Sequence, residues 1–225
     1  MKAVILAAGV GSRLGKPYPK SLSRLPNGES ILGRQIRILR AHGIKEIIIV
    51  VGFKMGLIME TFPSVYYKYN PVYYITNTSK SLLRGIEHID DDVLWINGDV
   101  IFDEKVIERV VQEEGNLVLV NSAHCGEEEV KYAIDDQECI TEISKTVEQA
   151  RGEAVGINKI SKRDLQEFRE SLKECEDDDY FEKGIEKTIR KGKKFKAVDI
   201  SEFRCIEIDF LADWEIAVGL FSEED

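Results

Sequence analysis

The sequence predicts an α/β protein, a mostly parallel open sheet with flanking helices, joined to a smaller antiparallel part. Three observations predict it. Short β-branched runs alternate with helically spaced apolar residues through the first half. The first of these runs stops at a glycine-rich turn, as a strand buried on both faces does. The second half sets several short strands between acidic connections, a pattern that favours antiparallel pairing.

The elements follow in order. Ala3–Leu6 is the first buried strand. Between Ser30 and His42, Ile31, Leu32, Ile36, Ile38 and Leu39 recur at helical spacing, and Gly43 stands where a helix C-cap belongs. Residues 46–51 (EIIIVV) form a second buried strand, 65–68 a third, and 79–89 a helix. The strand at 93–96 (VLWI) ends in Asn97-Gly98-Asp99, and a helix over 104–111 follows with Asp103 as its N-cap. Strand, helix, strand in this rhythm implies right-handed parallel crossovers. Further strands are expected at 117–120, 130–134, 140–143 and 155–160, then helices at 162–175 and 180–191 joined by the acidic turn 176–179. That turn reads as a solvated one. Strands at 195–198 and 206–208 and a helix over 211–220 complete the series.

Composition excludes several classes. The 225 residues are 43% hydrophobic and 32% charged, unlike a disordered or fibrous chain. Lys+Arg 31 against Asp+Glu 41 gives a net charge of −10, which argues against nucleic acid as a partner. The apolar start MKAVILAAGVGSR is too short for a signal or a membrane span, so no membrane insertion is expected. Cys125, Cys139, Cys175 and Cys205 are widely spaced with no CxxC pair, which reads as free thiols in a reducing, cytoplasmic setting. His42, His88 and His124 share no ligand spacing, and none is assigned to chemistry; His42 falls in a helix's last turn, where positive charge is favourable.

The strongest motif is Leu6-Ala7-Ala8-Gly9-Val10-Gly11-Ser12-Arg13, followed by Pro19-Lys20. Small residues at a strand end let a ligand approach the backbone, and Gly9 and Gly11 permit positive φ. Successive N–H groups in such a turn make a concavity suited to phosphate oxygens. Arg13 adds a guanidinium fork and Lys20 a point charge. The dinucleotide fingerprint fails, because its third glycine position is Leu14, and Walker A fails at Pro17.

LAAGVGSR…PK resembles the signature of the nucleotidyltransferase family with a Rossmann-like, glycosyltransferase-A-like fold. Within it the chain is most similar to the phosphocholine and inositol-1-phosphate cytidylyltransferase branch. The resemblance implies transfer of a CMP group from CTP to a small phosphorylated acceptor, with Mg²⁺ as cofactor and release of pyrophosphate. It implies one domain over 1–225, with residues 1–120 holding the nucleotide and 121–225 the acceptor. It also implies that Leu6, Ala7, Ala8, Gly9, Gly11, Ser12 and Gly98 surround the nucleotide. Arg13 would meet the β and γ phosphates, and Lys20 the reacting ones. Two alternatives stay open: a sugar-1-phosphate nucleotidyltransferase using UTP or dTTP, and a non-catalytic nucleotide-sensing domain.

Two remote carboxylates join this motif. Asp99 follows a strand whose carboxyl end faces the ligand crevice of an open sheet, where an oxygen donor can hold Mg²⁺. Cys205-Ile206-Glu207-Ile208-Asp209 alternates so that Glu207 and Asp209 share one face. It resembles the branch's second metal-binding element, with Asp209 preferred and Glu207 the alternative; Asp209 could equally cap the last helix. Asn77 and Ser81 match branch positions beside the nucleotide and could read a pyrimidine edge, or simply cap the helix. On the acceptor side the matches are Lys145, Glu153, Tyr180 and Glu182, the acids suited to a cationic or polyhydroxylated group. Tyr180 could add a cation–π face, although an aromatic cage would need Trp95, Trp214 or Phe181 to converge with it. The antiparallel part could present an edge for a homodimer.

Overall fold

The computed structural model describes residues 1–11, 18–126 and 129–222. Ser12 and Arg13 of the glycine-rich motif lie outside the described residues.

The first strand, β1 (Lys2–Ala7), explains the central layer. Its side chains alternate between two apolar cores, Ala3, Ile5 and Ala7 to one and Val4 and Leu6 to the other. A strand that meets a core on both faces has no room for polar alternation, hence the unbroken run. On one face pack α1 (Ile31–Ala41), α2 (Met55–Thr61) and α4 (Glu104–Gln112). On the other pack α3 (Thr78–Ile86), α5 (Lys162–Lys173) and α6 (Phe181–Arg190). The second core is centred on Trp95, whose ring stacks on Phe168 at 5.1 Å and meets the edge of Phe181 at 5.7 Å. Trp95 and Phe181 therefore converge in the core and form no aromatic cage.

The remaining strands are β2 (Ile47–Val51), β3 (Tyr66–Tyr69), β4 (Val93–Asn97), β5 (Val100–Phe102), β6 (Leu117–Asn121), β7 (Lys131–Ile134), β8 (Ile140–Ser144), β9 (Glu153–Ile160), β10 (Lys196–Asp199) and β11 (Cys205–Glu207). The main sheet runs β10-β6-β9-β4-β1-β2-β3, with the β7–β8 hairpin attached beside β9. β4, β1, β2 and β3 are mutually parallel. A mostly parallel sheet with a smaller antiparallel part is as expected, except that not every strand of the second half pairs antiparallel. β9 is antiparallel to β4 and β6, but β10 pairs with β6 in parallel, so the central sheet continues through the second half. The β7–β8 hairpin, which also pairs antiparallel with β9, and the two-stranded β5–β11 sheet form the antiparallel part. The strand β5, the helix α2 and a 3-10 turn at Lys20–Leu22 were not expected from the sequence, being too short to show periodicity.

The final helix, α7 (Leu211–Leu220), covers a third small core of Leu25, Ile31, Ile101, Ile208, Ala217 and Phe221. The acidic turn after α5 exposes Glu176, Asp177 and Asp178 as expected, while its main chain is docked. The carbonyls of Asp177 and Asp179 accept from the N–H groups of Asn77 and Ser79, tying the turn to the start of α3. The four cysteines carry free thiols. No helix of the described residues is long and apolar enough to cross a membrane.

Candidate active site

Parallel pairing of β1 with β4 sets Leu6 beside Asn97, so the turns after both strands open at the same rim of the sheet. Gly98 donates its N–H to the Leu6 carbonyl at 2.9 Å. A Cβ on Gly98 would stand 2.7 Å from that oxygen, so only glycine lets the two turns approach this closely. Gly11, and not Gly9, takes the left-handed conformation, at φ 63°. A Cβ there would lie 2.7 Å from Cγ of Lys20, which places the glycine turn directly against the lysine stem.

The two remote acids meet through a pairing that the sequence hides. β11 runs antiparallel to β5, with Glu207 opposite Val100, and the next N–H, of Ile208, donates to the Asp99 carbonyl at 3.0 Å. This carries Asp209 to the side of Asp99. Lys20 Nζ lies between them, 2.6 Å from Asp209 Oδ1 and 3.5 Å from Asp99 Oδ2, and also donates to the Ile208 carbonyl at 2.9 Å. Burial works against the Lys20 charge, yet the Asp99 and Asp209 carboxylates outweigh it and hold the ammonium's pKa above its usual value. Burial pushes the Asp99 carboxyl up, Lys20 opposes this, and Asp209 adds to it. Asp209 does not cap α7. That task falls to Asp213, whose carboxylate accepts from the N–H groups of Asp209 and Phe210.

Three further side chains hold this arrangement: Gln35 and Arg34, which no sequence signal marks, and Asp103, expected only as a helix cap. Gln35 on α1 donates to the carbonyls of Asn97 and Val100 at 2.9 and 2.8 Å, clamping the turn that carries Asp99. Buried Arg34 donates to the Phe102 carbonyl. Asp103 stands at the N-cap position of α4, but its carboxylate makes no cap bond. It accepts instead from the Arg204 backbone and guanidinium, which fixes where β11 begins. A long-range carbonyl clamp leaves no sequence spacing by which to find it.

Two cavities share the wall formed by Leu6, Gly9, Asp99 and Asp209. The first, of about 390 Å³, is lined by the glycine turn, Lys20, Asn77 and Gly98. The second, of about 230 Å³, contains Lys145, Tyr180 and Glu182, together with Asn97, Glu129 and Glu207. Three expected residues lie away from both. Ala8 is buried in the second core. Ser81 is buried and accepts from Asn70 Nδ2. The Glu153 carboxylate is taken by His124 and the Gly126 N–H. Asn77 caps α3 and also lines the first cavity.

Electrostatics separate the cavities. Among the described residues, five carboxyl groups line the second, with Lys145 alongside them. Glu182 is 7% exposed, and its Oε2 has no hydrogen-bond partner among the described residues. Burial pushes this carboxyl up to about 7. Burial, then Asp99 and Asp209, raise the Glu207 carboxyl well above the usual carboxylate range. Glu207 accepts from Asn97 Nδ2, so it stands one step back from the Lys20 contact that Asp209 makes. Lys145 Nζ lies 5.5 Å from the centre of the Tyr180 ring.

Comparison with known proteins agrees with this architecture. The chain is 36% identical over 119 residues to the CMP-5'-(3-aminopropyl)phosphonate synthase of Streptomyces rubellomurinus, a match covering 49% of this chain and 19% of that protein. It is 26% identical to the CTP:phosphoglutamine cytidylyltransferase of Campylobacter jejuni, covering 97% of this chain and 99% of that one. In fold it resembles the inositol-1-phosphate CTP transferase from T. maritima, with a TM-score of 0.82, 19% identity, and coverage of 99% and 95% of the two chains. Residues 3–168 match the MobA-like NTP transferase domain, a stretch that runs from β1 into α5. The chain therefore belongs to the MobA-like NTP transferase family of nucleotidyltransferases.

Proposed function

We propose that the protein transfers a CMP group from CTP to a small phosphorylated or phosphonate acceptor and releases pyrophosphate. The observation that carries this reading is the convergence of Asp99 and Asp209 on a single cationic atom, Lys20 Nζ, beside the left-handed Gly11 turn. That junction is also the wall shared by two cavities, so two substrates seated in them would meet there. The preference for cytidine is supported by the curated relative matched along its whole length, which is a CTP enzyme by name.

In the reaction, an acceptor oxygen forms a bond to the α-phosphorus of the nucleotide as the α–β bridging bond breaks. The bonding pair leaves with pyrophosphate. A phosphate monoester is already ionised near neutral pH, so no protein base is required and catalysis rests on positioning and charge neutralisation. Backbone N–H groups at the glycine turn and the Lys20 ammonium would hold the phosphates, and Arg13 is assigned to the same task. Asn77 faces the nucleotide cavity and would contact the base or sugar.

The donor set fits Mg²⁺. Asp99 and Asp209 are hard oxygen donors that already gather on one positive charge, and Mg²⁺ binds through one or two carboxylates plus substrate phosphates. Bound there, Mg²⁺ would neutralise charge developing on the phosphate oxygens.

The test is a pyrophosphate-release assay that crosses the four nucleoside triphosphates with a panel of phosphate, phosphonate and sugar-1-phosphate acceptors, with and without Mg²⁺. Release with CTP and a small acceptor, abolished by chelation, is expected. Preference for UTP or dTTP with a sugar-1-phosphate would overturn the cytidylyl assignment, and nucleotide binding without release would overturn the enzyme reading.

A further inference from the structure

The main sheet ends at β3, and its hydrogen bonds show which groups that edge presents. Asn70 donates its N–H to the Val51 carbonyl at 2.9 Å, so the even-numbered residues of this stretch turn their main chain towards β2. Main-chain groups alternate sides along a strand, and Tyr67, Tyr69 and Val65 just before β3 therefore turn theirs outward. Among the described residues no main-chain group bonds to them. The opposite end of the sheet is not bare in this way. There Ala197 of β10 donates to the Glu138 carbonyl, and Ile140 donates to the carbonyl of Phe195.

The side chains around the β3 edge are apolar for a surface. Tyr66 is 62% exposed and Tyr69 49%, and Met55 and Met59 of α2 are exposed as well. The Tyr67 hydroxyl ties the end of α2 to β3 by donating to the Phe62 carbonyl at 2.7 Å. An apolar patch beside outward main-chain groups is the surface that a docked strand covers.

We infer that this edge pairs with β3 of a second copy of the chain, antiparallel across a two-fold axis at Tyr67. Outward groups can meet only outward groups, so a symmetric pair within β3 has its axis at residue 66, 67, 68 or 69. With the axis at Tyr66, Tyr69 falls opposite Pro63, and with the axis at Tyr69, Tyr67 falls opposite Pro71. Neither proline has an N–H to give. With the axis at Lys68 the two lysines stand directly opposite, and like charges there are destabilising. With the axis at Tyr67, Val65 falls opposite Tyr69, and Lys68 falls opposite Tyr66. All three outward residues then find partners, and each copy sets an ammonium against an aromatic ring of the other. Pro63 and Pro71 lie equally far from Tyr67, so the stretch free of proline is centred on the axis. Such a pair reverses strand direction between the copies, and the rims that carry Asp99 open in opposite directions.

The test is sedimentation of the intact chain from micromolar to millimolar concentration, beside Tyr66→Lys and Tyr66→Glu. Tyr66 is an exposed side chain, so both variants keep the core. The parent is expected to form a reversible dimer. Tyr66→Lys sets lysine against Lys68 on both sides of the axis and should raise the dissociation constant about tenfold. Tyr66→Glu places a carboxylate there instead and should retain the dimer. A parent that stays monomeric throughout overturns the proposal. So does a Tyr66→Lys dimer as tight as the parent, which would put the interface elsewhere. A Tyr66→Glu dimer weakened as much as Tyr66→Lys would break the register. Oxidative crosslinking, scored against the parent with its exposed Cys125, checks the register again. A mixture of Tyr66→Cys and Lys68→Cys chains should join across the axis. Self-crosslinking of Lys68→Cys at least as fast would move the axis to residue 68 and overturn the assignment.

Discussion

The two cavities that meet at Asp99 and Asp209 are built in different ways. The first cavity, proposed for the nucleotide, uses main chain and small residues: Gly9, Gly11 and Gly98 bring amides and carbonyls within reach, and a lysine side chain supplies the charge. The acceptor side uses side chains delivered by β4, α6, β11 and the loops beside β7 and β8. A backbone cradle binds what all nucleoside triphosphates share, whereas a side-chain box can be re-lined without disturbing the cradle. On the proposed reading, generality would reside on one side of the wall and selectivity on the other.

Three substitutions can break or sharpen that contrast. Lys20→Ala strikes the general side, removing the charge that joins the glycine turn to both carboxylates. Pyrophosphate release should fall by about 10²–10³-fold with every acceptor alike. Unchanged turnover, with far-UV circular dichroism confirming a folded variant, would disconnect the junction from catalysis.

Glu182→Gln strikes the selective side and should appear in stability. The folded protein holds the Glu182 carboxyl at about 7, above its ordinary 4.5, so the native state binds this proton more tightly than the unfolded chain. Stability from this group is therefore full below about pH 4.5 and declines as pH rises towards 7, with no further loss above it. Glutamine does not titrate, so at pH 8 the variant should be more stable than the parent by roughly 3 kcal/mol, and the gap should close at pH 5. Urea unfolding at the two pH values measures this. A gap that widens on acidification would contradict the burial argument.

Gln35→Ala gives the smallest effect and falls on both sides at once, because its amide clamps the turn carrying the shared Asp99. Leaving the Asn97 and Val100 carbonyls without this donor should cost about 1–2 kcal/mol of stability and lower turnover with all acceptors equally. Acceptor-dependent losses would show that the clamp belongs to one cavity only.

The same contrast explains what could be read from the sequence. LAAGVGSR…PK was legible because a backbone cradle leaves its trace in consecutive residues, and apolar runs such as Ala3–Leu6 announced strands buried on both faces. Asp99 was found because a strand end preceded it, and Asp209 by likeness to an EID element. Their meeting was expected by likeness, but the pairing that brings it about was hidden, since it depends on β5, a three-residue strand too brief to show any period. Glu129 was missed because nothing in its neighbourhood repeats, and Gln35 because its partners are main-chain atoms more than sixty residues away. Ser81 and Glu153 were expected at the site on likeness, but local donors claim both.

The β5–β11 pairing also fixes a timetable. Everything needed for the central sheet between β1 and β4 has been synthesised long before residue 209 is added, so the cradle can form around an incomplete charge centre. Of the two acids, Asp209 reaches Lys20 through β11 and Asp99 does not, so loosening the β5–β11 pairing would detach one carboxylate from the ammonium and leave the other in place.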